Sequence, residues 1–583
     1  MHRLAILPLI ALAACASAPA AGTRPAADQA DGSRLGVTAG REPTRITGAH
    51  TMTADQQASH VLSRLTFGAR PGDLDVIREQ GVDRWIEEQL HPERIDDAAA
   101  DHWLAEFETV QKSAAELERT YPNPGVLVNQ RASRPEGLTA QDSAQLRDAR
   151  RNLRRIADEA QIARVGRALL SERQLQEVMT DFWLNHFSVF AGKGIREQYY
   201  LAEYDYQVIR PRALSRFRDL LGAVAKSPAM LFYLDNWQSA ADSTRPRLTE
   251  PAAARARGAA ARRATANPAS PAGQQLQRRL RAGLNENYGR ELLELHTLGV
   301  EGGYTQQDVI SAARALTGWT IDGPRQGGGF LFAPFMHDAG EKRVLGRTLR
   351  AGRGIEDGEE LLDLLSRHPS TARFIATKLA RRFVSDTPPA ALVDRAATAF
   401  LRTDGEIRAV VRLIITSPEF FDHAAYRAKV KSPFEVVLSA LRATGATPDR
   451  SPRTAQAIAT LGQPIFGRST PDGWPESAAG WMGTGAILNR INFGLALAAG
   501  RLPGANPMAV PGVEMLRQAP REQQVDAVVD AFLGGDVSSV TRSVLITGHH
   551  PLLDTATAAP AGAPRGLAQV VGLALGSPEF QRR

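Results

Sequence analysis

Residues 284–300 read LNENYGRELLELHTLGV, and the spacing of apolar side chains in this stretch decides the fold class. The apolar residues recur every three or four positions, which predicts an α-helix over 284–298. At about 100° per residue, this helix has a polar face and an opposite, largely apolar face. The polar face carries Asn287, Arg290, Glu291 and Glu294, and the opposite face carries Tyr288, Leu292, Leu295 and His296.

The same helical spacing continues outward from this stretch in both directions. Further helices are predicted within residues 142–190 (two helices), 213–234, 306–317, 356–416, 433–444 and 486–499. The 306–317 helix is expected to begin after Thr305, because Thr305 and Asp308 have the spacing of a helix cap. The predicted fold class is mainly α: a large multi-helix body with one small β-hairpin.

Two carboxylates and an arginine share the polar face of the 284–298 helix. If this face is solvated, Arg290 and Glu294 form an i,i+4 ion pair that stabilises the helix by roughly 0.2–0.5 kcal/mol. If it lines a pocket, Glu291 and Glu294 supply a general base, and Arg290, with Asn287 beside it, binds an anion. The sequence alone leaves both interpretations open.

Two histidines also have a structural and a functional interpretation. His296 lies in the last turn before Gly299, where it either hydrogen-bonds terminal carbonyls and interacts with the helix dipole or acts in catalysis. His186 lies within an aromatic stripe, which favours a hydrogen-bonded core residue over a ligand or catalyst. A neighbouring ridge of the same helix consists of Glu177, Asp181 and Asn185. These oxygen-bearing side chains either face solvent, line a polar channel or coordinate a hard cation.

Residues 329–332 and 343–346 carry the only convincing β-strand signal, and they predict a hairpin with its turn around Asp338-Ala339-Gly340. His337 and Asp338 therefore either start the turn or lie above a cleft. Trp319 suits either stacking on a sugar or packing in the core. His-Glu-x-x-His and paired Cys-x-x-Cys spacings are missing from the sequence. The sequence leaves a divalent metal cofactor as an open alternative, and such a metal would need ligands from distant segments.

The net charge of +7 arises from one short segment. Residues 240–283 contain nine arginines and only two carboxylates, an excess that equals the net charge of the whole chain. Nucleic-acid-binding grooves spread positive charge over folded elements and interleave it with aromatic residues, whereas this segment has no aromatic residue. The composition argues against nucleic-acid binding and predicts a disordered basic insert.

The N-terminus carries a lipoprotein-like signal. A short apolar stretch precedes Leu12-Ala13-Ala14-Cys15, and Cys15 is the only cysteine of the 583 residues. The pattern resembles a lipobox, in which the cysteine is lipidated and the chain is cleaved ahead of it. An ordinary secretory signal cut a few residues later is the alternative. We expect a lipoprotein signal peptide over 1–14, a disordered tether over 15–52 and a single helical domain over 53–583.

Several sequence blocks, in a fixed order, resemble a known bacterial family. The blocks are residues 60–68, 181–187, 284–300, 302–306, 317–319 and 337–338, with Ser-Pro-Glu-Phe at both 417–420 and 577–580. From about residue 55 onward, the chain is similar to the family catalogued as domain of unknown function 1800. The resemblance implies a large, mostly helical bacterial protein, and it implies no activity because none is established for that family.

Two classes of function follow from these features. The first is an envelope lipoprotein, anchored to a membrane by lipid, that binds or scaffolds an envelope polymer or a partner protein. In a Gram-negative cell we expect it at the outer membrane or the periplasmic face. The second is an envelope hydrolase or lyase that uses Glu291, Glu294, His186, His296 and His337-Asp338, with or without a metal. The enzyme requires four of these side chains to converge on one cleft: Glu291, Glu294, His186 and His337.

Overall fold

Helices make up most of the computed structural model, which describes residues 51–132, 139–242, 245–248, 283–323, 328–550 and 564–583. Every described residue belongs to one compact unit. Within these ranges, no helix is both long and apolar enough to cross a membrane. The predicted signal peptide, Cys15, all but the end of the predicted tether and most of the predicted basic insert lie outside the described residues.

Before the predicted insert, several helices begin at side-chain caps that the sequence supplies. Thr53, Ser113 and Thr139 each accept a hydrogen bond from the backbone three residues on, and the side chain at that third position closes a capping box. The described helices of this part are α1 (Ala54–Leu65), α2 (Asp73–Gln80), α3 (Val82–Gln89), α4 (Ala98–Ala105), α5 (Ala114–Thr120), α6 (Pro124–Ala132), α7 (Ala140–Leu170), α8 (Gln174–His186), α9 (Ile195–Glu203), α10 (Phe217–Lys226) and α11 (Pro228–Tyr233).

After the predicted insert, the predicted cap at Thr305 is confirmed, because Thr305 and Asp308 form a capping box at the start of a helix. The described helices here are α12 (Glu286–Glu291), α13 (Gln306–Ala315), α14 (Ile355–Ser366), α15 (Pro369–Phe383), α16 (Ala390–Arg402), α17 (Ile407–Ile415), α18 (Pro433–Ala443), α19 (Arg453–Thr460), α20 (Thr484–Ala498), α21 (Arg521–Leu533), α22 (Ser539–Thr547) and α23 (Leu567–Gly576). The predicted fold class, mainly α with a small β component, is confirmed.

The β component differs from the prediction in its strand pairing. Strand β1 (Trp319–Ile321) pairs with β2 (Phe330–Phe332), and β3 (Lys342–Val344) pairs with β4 (Arg347–Leu349), both antiparallel. The predicted hairpin, which joined 329–332 to 343–346, is therefore wrong. Leu345 and Gly346 both have positive φ, the geometry of a two-residue turn that matches strand twist, so β3 turns directly into β4.

The stretch that was predicted as one helix over 284–298 is divided. Its α-helical part, α12, ends at Glu291, and a π-helical segment, Leu292–Thr297, follows. The wider turn is closed by the Leu298 N–H, which donates to Leu293 O at 2.8 Å, and by the Thr297 hydroxyl, which donates to Leu292 O at 2.6 Å. Such segments are frequent at functional sites.

Helices on both sides of the predicted insert share one hydrophobic core, which includes Phe182 of α8, Tyr288 of α12 and Leu379 of α15. The described ends of the insert pack against the body as well. Ala241 is buried and its N–H donates to Met336 O at 2.7 Å, and Pro246 O accepts from the Ala339 N–H at 2.8 Å. The described part of this segment therefore belongs to the folded body.

Candidate functional site

The polar face predicted for residues 284–298 contributes two carboxylates to a partly exposed site. Glu291 ends α12 and Glu294 lies in the π-helical segment, so the wider turn sets their relative directions. Both side chains are half-buried. Tyr304 Oη donates a hydrogen bond to Glu294 Oε2 at 3.2 Å, which fixes that carboxylate.

Glu291 has the properties of a general base. Burial, together with the negative charges of Glu294 and Asp472, raises the pKa of the Glu291 carboxyl to about 7, against the opposing charge of Arg290. A partly exposed carboxyl whose pKa lies near neutrality accepts and releases a proton readily at neutral pH. The raised pKa of Glu291 agrees with the pocket interpretation of this helix face.

Arg290 and Asn287 lie at the outer part of the same face. Instead of the predicted pair with Glu294, Arg290 lies 3.9 Å from Glu286, one turn earlier, and donates to Gln306 Oε1 at 2.9 Å. Asn287 is exposed. Arg290 is therefore held by α12 and α13, where its charge moderates the pKa of Glu291.

A lysine and a histidine form the second part of the site. Lys378 Nζ donates a hydrogen bond to His186 Nδ1 at 2.8 Å. His186 Nε2 lies 3.1 Å from the backbone oxygen of His296, and this nitrogen must carry the proton because a carbonyl oxygen only accepts. Burial, and then the charge of Lys378, lowers the pKa of His186 well below its ordinary value. His186 is therefore a neutral, oriented acceptor that positions Lys378.

Lys378, on α15, is a functional candidate that the sequence did not reveal. Its side chain is partly exposed, and its Nζ lies 5.5 Å from the centre of the Phe374 ring. Burial lowers the pKa of its ammonium to about 8, while the negative charges of Glu476 and Asp472 act to raise it. At neutral pH such a lysine is mostly protonated but releases its proton more easily than an ordinary lysine.

His296 contributes its backbone to the site, while its ring belongs to the core. The ring is 1% exposed and lies 5.1 Å from the ring centre of Phe187. Burial, followed by the charge of Lys378, lowers the pKa of His296 to about 3. The ring is therefore neutral at physiological pH, and the carbonyl that orients His186 is the group that reaches the site.

Asp472 arrives from a distant loop that is attached to the end of α8. Asn185 donates from Nδ2 to Trp474 O at 2.9 Å and accepts at Oδ1 from the Trp474 N–H at 2.6 Å. Gly473 has a φ of +76°, and a Cβ there would lie 2.2 Å from Asn185 O, so glycine is required. Arg468 donates to Asp472 at 2.6 and 3.1 Å. We define Glu291, Glu294, Asp472, Lys378 and His186 as the polar site.

A small charged pocket borders the same loop. It has a volume of about 40 Å³, and its charged lining residues are Arg164, Arg382, Arg468, Arg583, Asp181, Glu435 and Glu476. Burial acts to raise the pKa of Glu435, but the charges of Arg382 and Arg583 outweigh this effect and lower the pKa to about 2. Opposite charges thus neutralise one another in a space that suits a few water molecules. The pocket is too small for an organic substrate.

The predicted ridge on α8 is buried. Glu177 is 3% exposed and pairs with Arg210 and, at 3.2 Å, with Arg167. Asp181 is 8% exposed and pairs with Arg164. The solvent-facing interpretation of this ridge is therefore wrong, and arginines supply its positive charge. Across the residues that the structure describes, no group of three His, Cys, Asp or Glu side chains could hold a metal ion.

His337 and Asp338 lie in the interior, so their predicted place above a cleft is wrong. They are 0% and 1% exposed. Asp338 accepts a hydrogen bond from Arg314 Nε at 2.6 Å, and His337 Nε2 lies 3.3 Å from Asp357 Oδ2. Because β2 pairs back onto β1, the chain after β2 is directed against α13, and the two residues enter a buried ion-pair network there.

Trp319 is also a core residue. It is 0% exposed, and its ring centre lies 5.2 Å from that of Phe330 in an edge-to-face arrangement. A Cβ at Gly358 would lie 2.2 Å from the Trp319 ring, so α14 packs directly onto the indole. The sugar-stacking interpretation of Trp319 is therefore wrong.

Comparisons with known proteins agree with the resemblance seen in the sequence blocks. The family model described as "Protein of unknown function (DUF1800)" matches residues 60–582. No curated protein and no solved structure matches the chain. The matched range contains all five residues of the polar site.

Proposed function

Because the chain belongs to the family described as "Protein of unknown function (DUF1800)", which brings no activity with it, we propose a function from its own site. The proposal is a lipid-anchored cell-envelope hydrolase or lyase that acts on an envelope polymer. One observation carries it: Glu291 and Lys378 are partly exposed, have pKa values shifted toward neutrality from opposite directions, and share Asp472 as a charged neighbour. Such shifts are typical of acid–base catalysts.

Each residue of the polar site has a role in this proposal. Glu291, which is ionised above about pH 7, takes a proton from water in a hydrolase or from the substrate in a lyase. Lys378, as an ammonium, gives a proton to the leaving group. The Nδ1 atom of His186 accepts a hydrogen bond from the Lys378 ammonium. His186 is therefore a positioning residue that orients Lys378. Asp472 and Glu294 keep Glu291 basic.

Glu291→Gln is the test of this activity. Purified peptidoglycan and envelope polysaccharide are incubated with the protein, and soluble fragments are measured by mass spectrometry. We expect fragments from the wild type and at least a roughly 100-fold lower rate from Glu291→Gln and from Lys378→Met, since general acid–base groups contribute about 10²–10⁴-fold. Glu301→Gln, at an exposed carboxylate, and Lys112→Met are matched controls that should retain the wild-type rate.

A second candidate function is binding or scaffolding of an envelope polymer or partner protein. The interior position of His337 favours it, since the enzyme was expected to gather His337 with the other residues in one cleft. In this case the protein sediments with the polymer and releases no fragments. Glu291→Gln then leaves sedimentation unchanged. Polymer-dependent fragments that disappear in Glu291→Gln would exclude this alternative.

The envelope location rests on Leu12-Ala13-Ala14-Cys15, which lies outside the described residues. We expect Cys15→Ser to abolish incorporation of a labelled fatty acid and processing by the lipoprotein peptidase, because the thiol is the site of acylation. The measurement is metabolic labelling followed by membrane fractionation. Ser17→Ala is the control. Unchanged processing and membrane recovery of Cys15→Ser would contradict the anchor.

A further inference from the structure

A second, larger pocket lies apart from the polar site and shares no lining residue with it. Its volume is about 380 Å³, within the range of small-molecule sites. It is formed by α1, the loop before α2, α18, α21 and the chain after α23. The apolar part of its wall consists of Leu62, Leu74, Ala443, Val510, Phe532 and Phe580.

Lys431 is the buried cation in this wall. Its side chain is 7% exposed, its Nζ donates to Ser439 Oγ at 3.1 Å, and the same Nζ lies 4.2 Å from the ring centre of Phe580. An ammonium has three N–H donors. One is used by Ser439 and one faces the Phe580 ring, which leaves donor capacity for a ligand.

The nearby carboxylates have other partners. Glu435, one turn after Lys431, lies 2.9 Å from Arg382 and 3.1 Å from Arg583. Glu579, in the pocket wall, accepts from the Ser538 N–H and the Thr541 hydroxyl. In the ranges that the structure covers, no carboxylate lies within ion-pair distance of Lys431. The other charged residues of the wall are three arginines and three carboxylates, which balance one another in number: Arg70, Arg427, Arg582, Asp75, Asp530 and Glu579. Lys431 is thus a buried cation without a paired carboxylate, which favours a ligand that brings one negative charge.

We propose that this pocket binds a small amphiphilic monocarboxylate of the medium-chain fatty-acid class. Its carboxylate pairs with Lys431, and its hydrocarbon chain lies against the apolar wall. A neutral ligand would leave the ammonium uncompensated. A ligand with several negative charges would exceed the single positive charge that the wall leaves unbalanced. The site is independent of the polar site and extends beyond the proposed acid–base function.

The pKa of Lys431 provides a measurable signature of carboxylate binding in this pocket. Burial, together with the charges of Arg427, Arg583 and Arg490, lowers the pKa of Lys431 to about 7 against the opposing charge of Glu435. A bound carboxylate raises this pKa, because an opposite charge favours the ammonium. Lys431 is then mostly neutral in the free protein at pH 8 and charged in the complex. Binding should therefore take up protons at pH 8 and nearly none at pH 6.

Calorimetry of the full chain with octanoate tests the proposal. Titrations in two buffers that differ in ionisation enthalpy measure proton uptake at pH 6 and pH 8. We expect saturable one-to-one binding, uptake at pH 8, and at least about tenfold weaker binding of octan-1-ol, which lacks the charge. Lys431→Met should weaken octanoate binding by a similar factor, and Lys112→Met, far from the pocket, should leave it unchanged.

A second variant keeps the test decisive if Lys431→Met does not fold. Ala443 is partly exposed in the pocket wall, so Ala443→Phe should fill the pocket and abolish octanoate binding while Lys431 stays in place. Absence of octanoate binding to the wild type overturns the proposal. Equal binding of octan-1-ol, or binding that survives Ala443→Phe, overturns it as well.

Discussion

At Glu291, burial and the charges of Glu294 and Asp472 make ionisation less favourable in the folded chain than in the unfolded chain. The ordinary pKa of 4.5 applies to the unfolded chain, and the folded value is about 7. The folded state therefore favours the protonated carboxyl. The stabilising contribution of protonated Glu291 is complete below about pH 4.5 and is lost as the pH rises through about 7.

Glu291→Gln removes this titration. We expect its melting temperature to equal that of the wild type at about pH 4 and to exceed it at about pH 8, because glutamine avoids the cost of a half-buried charge. Differential scanning fluorimetry across the pH range measures the difference. Glu301→Gln, which removes one exposed negative charge, is the control. A Glu291→Gln protein that unfolds at every pH would instead identify Glu291 as a structural residue.

At the scale of elements, the stretch that decides the fold class also contains a close contact between two helix backbones. A Cβ at Gly289 of α12 would lie 2.8 Å from Ala313 N and 2.9 Å from Val309 O, which are backbone atoms of α13. Backbone atoms of a packed helix cannot move aside as a flexible side chain can. The absence of a side chain at residue 289 therefore sets the distance between these two helices.

Gly289→Ala should destabilise the protein by about 1–3 kcal/mol, the usual cost of overpacking a core, despite the higher helix propensity of alanine. It should also lower the function of the polar site, because α12 carries Glu291. Chemical denaturation measures the free energy of unfolding. The matched control is Gly485→Ala in α20, where a Cβ meets nothing within 4 Å. An unchanged midpoint for Gly289→Ala would show that the two helices separate freely.

For the whole molecule, the basic segment 240–283 divides the chain while the core on either side stays continuous. Phe182 and Leu379, from opposite sides of the segment, belong to one hydrophobic cluster. Arg247 lies in the described part of the segment, where its side chain donates to Ala241 O at 2.7 Å and its backbone bridges to Asp338. We expect these contacts to protect one end of the segment from proteolysis.

Brief trypsin treatment should therefore cut first between residues 255 and 281, where the composition predicts disorder, and later at Arg247. The two fragments should elute together on gel filtration, because they share the core. Mass spectrometry of the fragments locates the cuts. The urea-unfolded chain, in which all sites are exposed, is the control. First cleavage inside a helix of the body, or separation of the fragments, would contradict this prediction.

The sequence by itself determined the helical class, the cap at Thr305 and the choice of Glu291 as a candidate site residue, because these depend on residues within one or two helical turns. Tertiary structure decided the rest of the site. Lys378 meets His186 across 192 residues, and Trp474 meets Asn185 across 289. Nothing in local spacing encodes such contacts, since each depends on how packed helices cross. For the same reason, the sequence alone could not show that His337 and Trp319 are buried in the core.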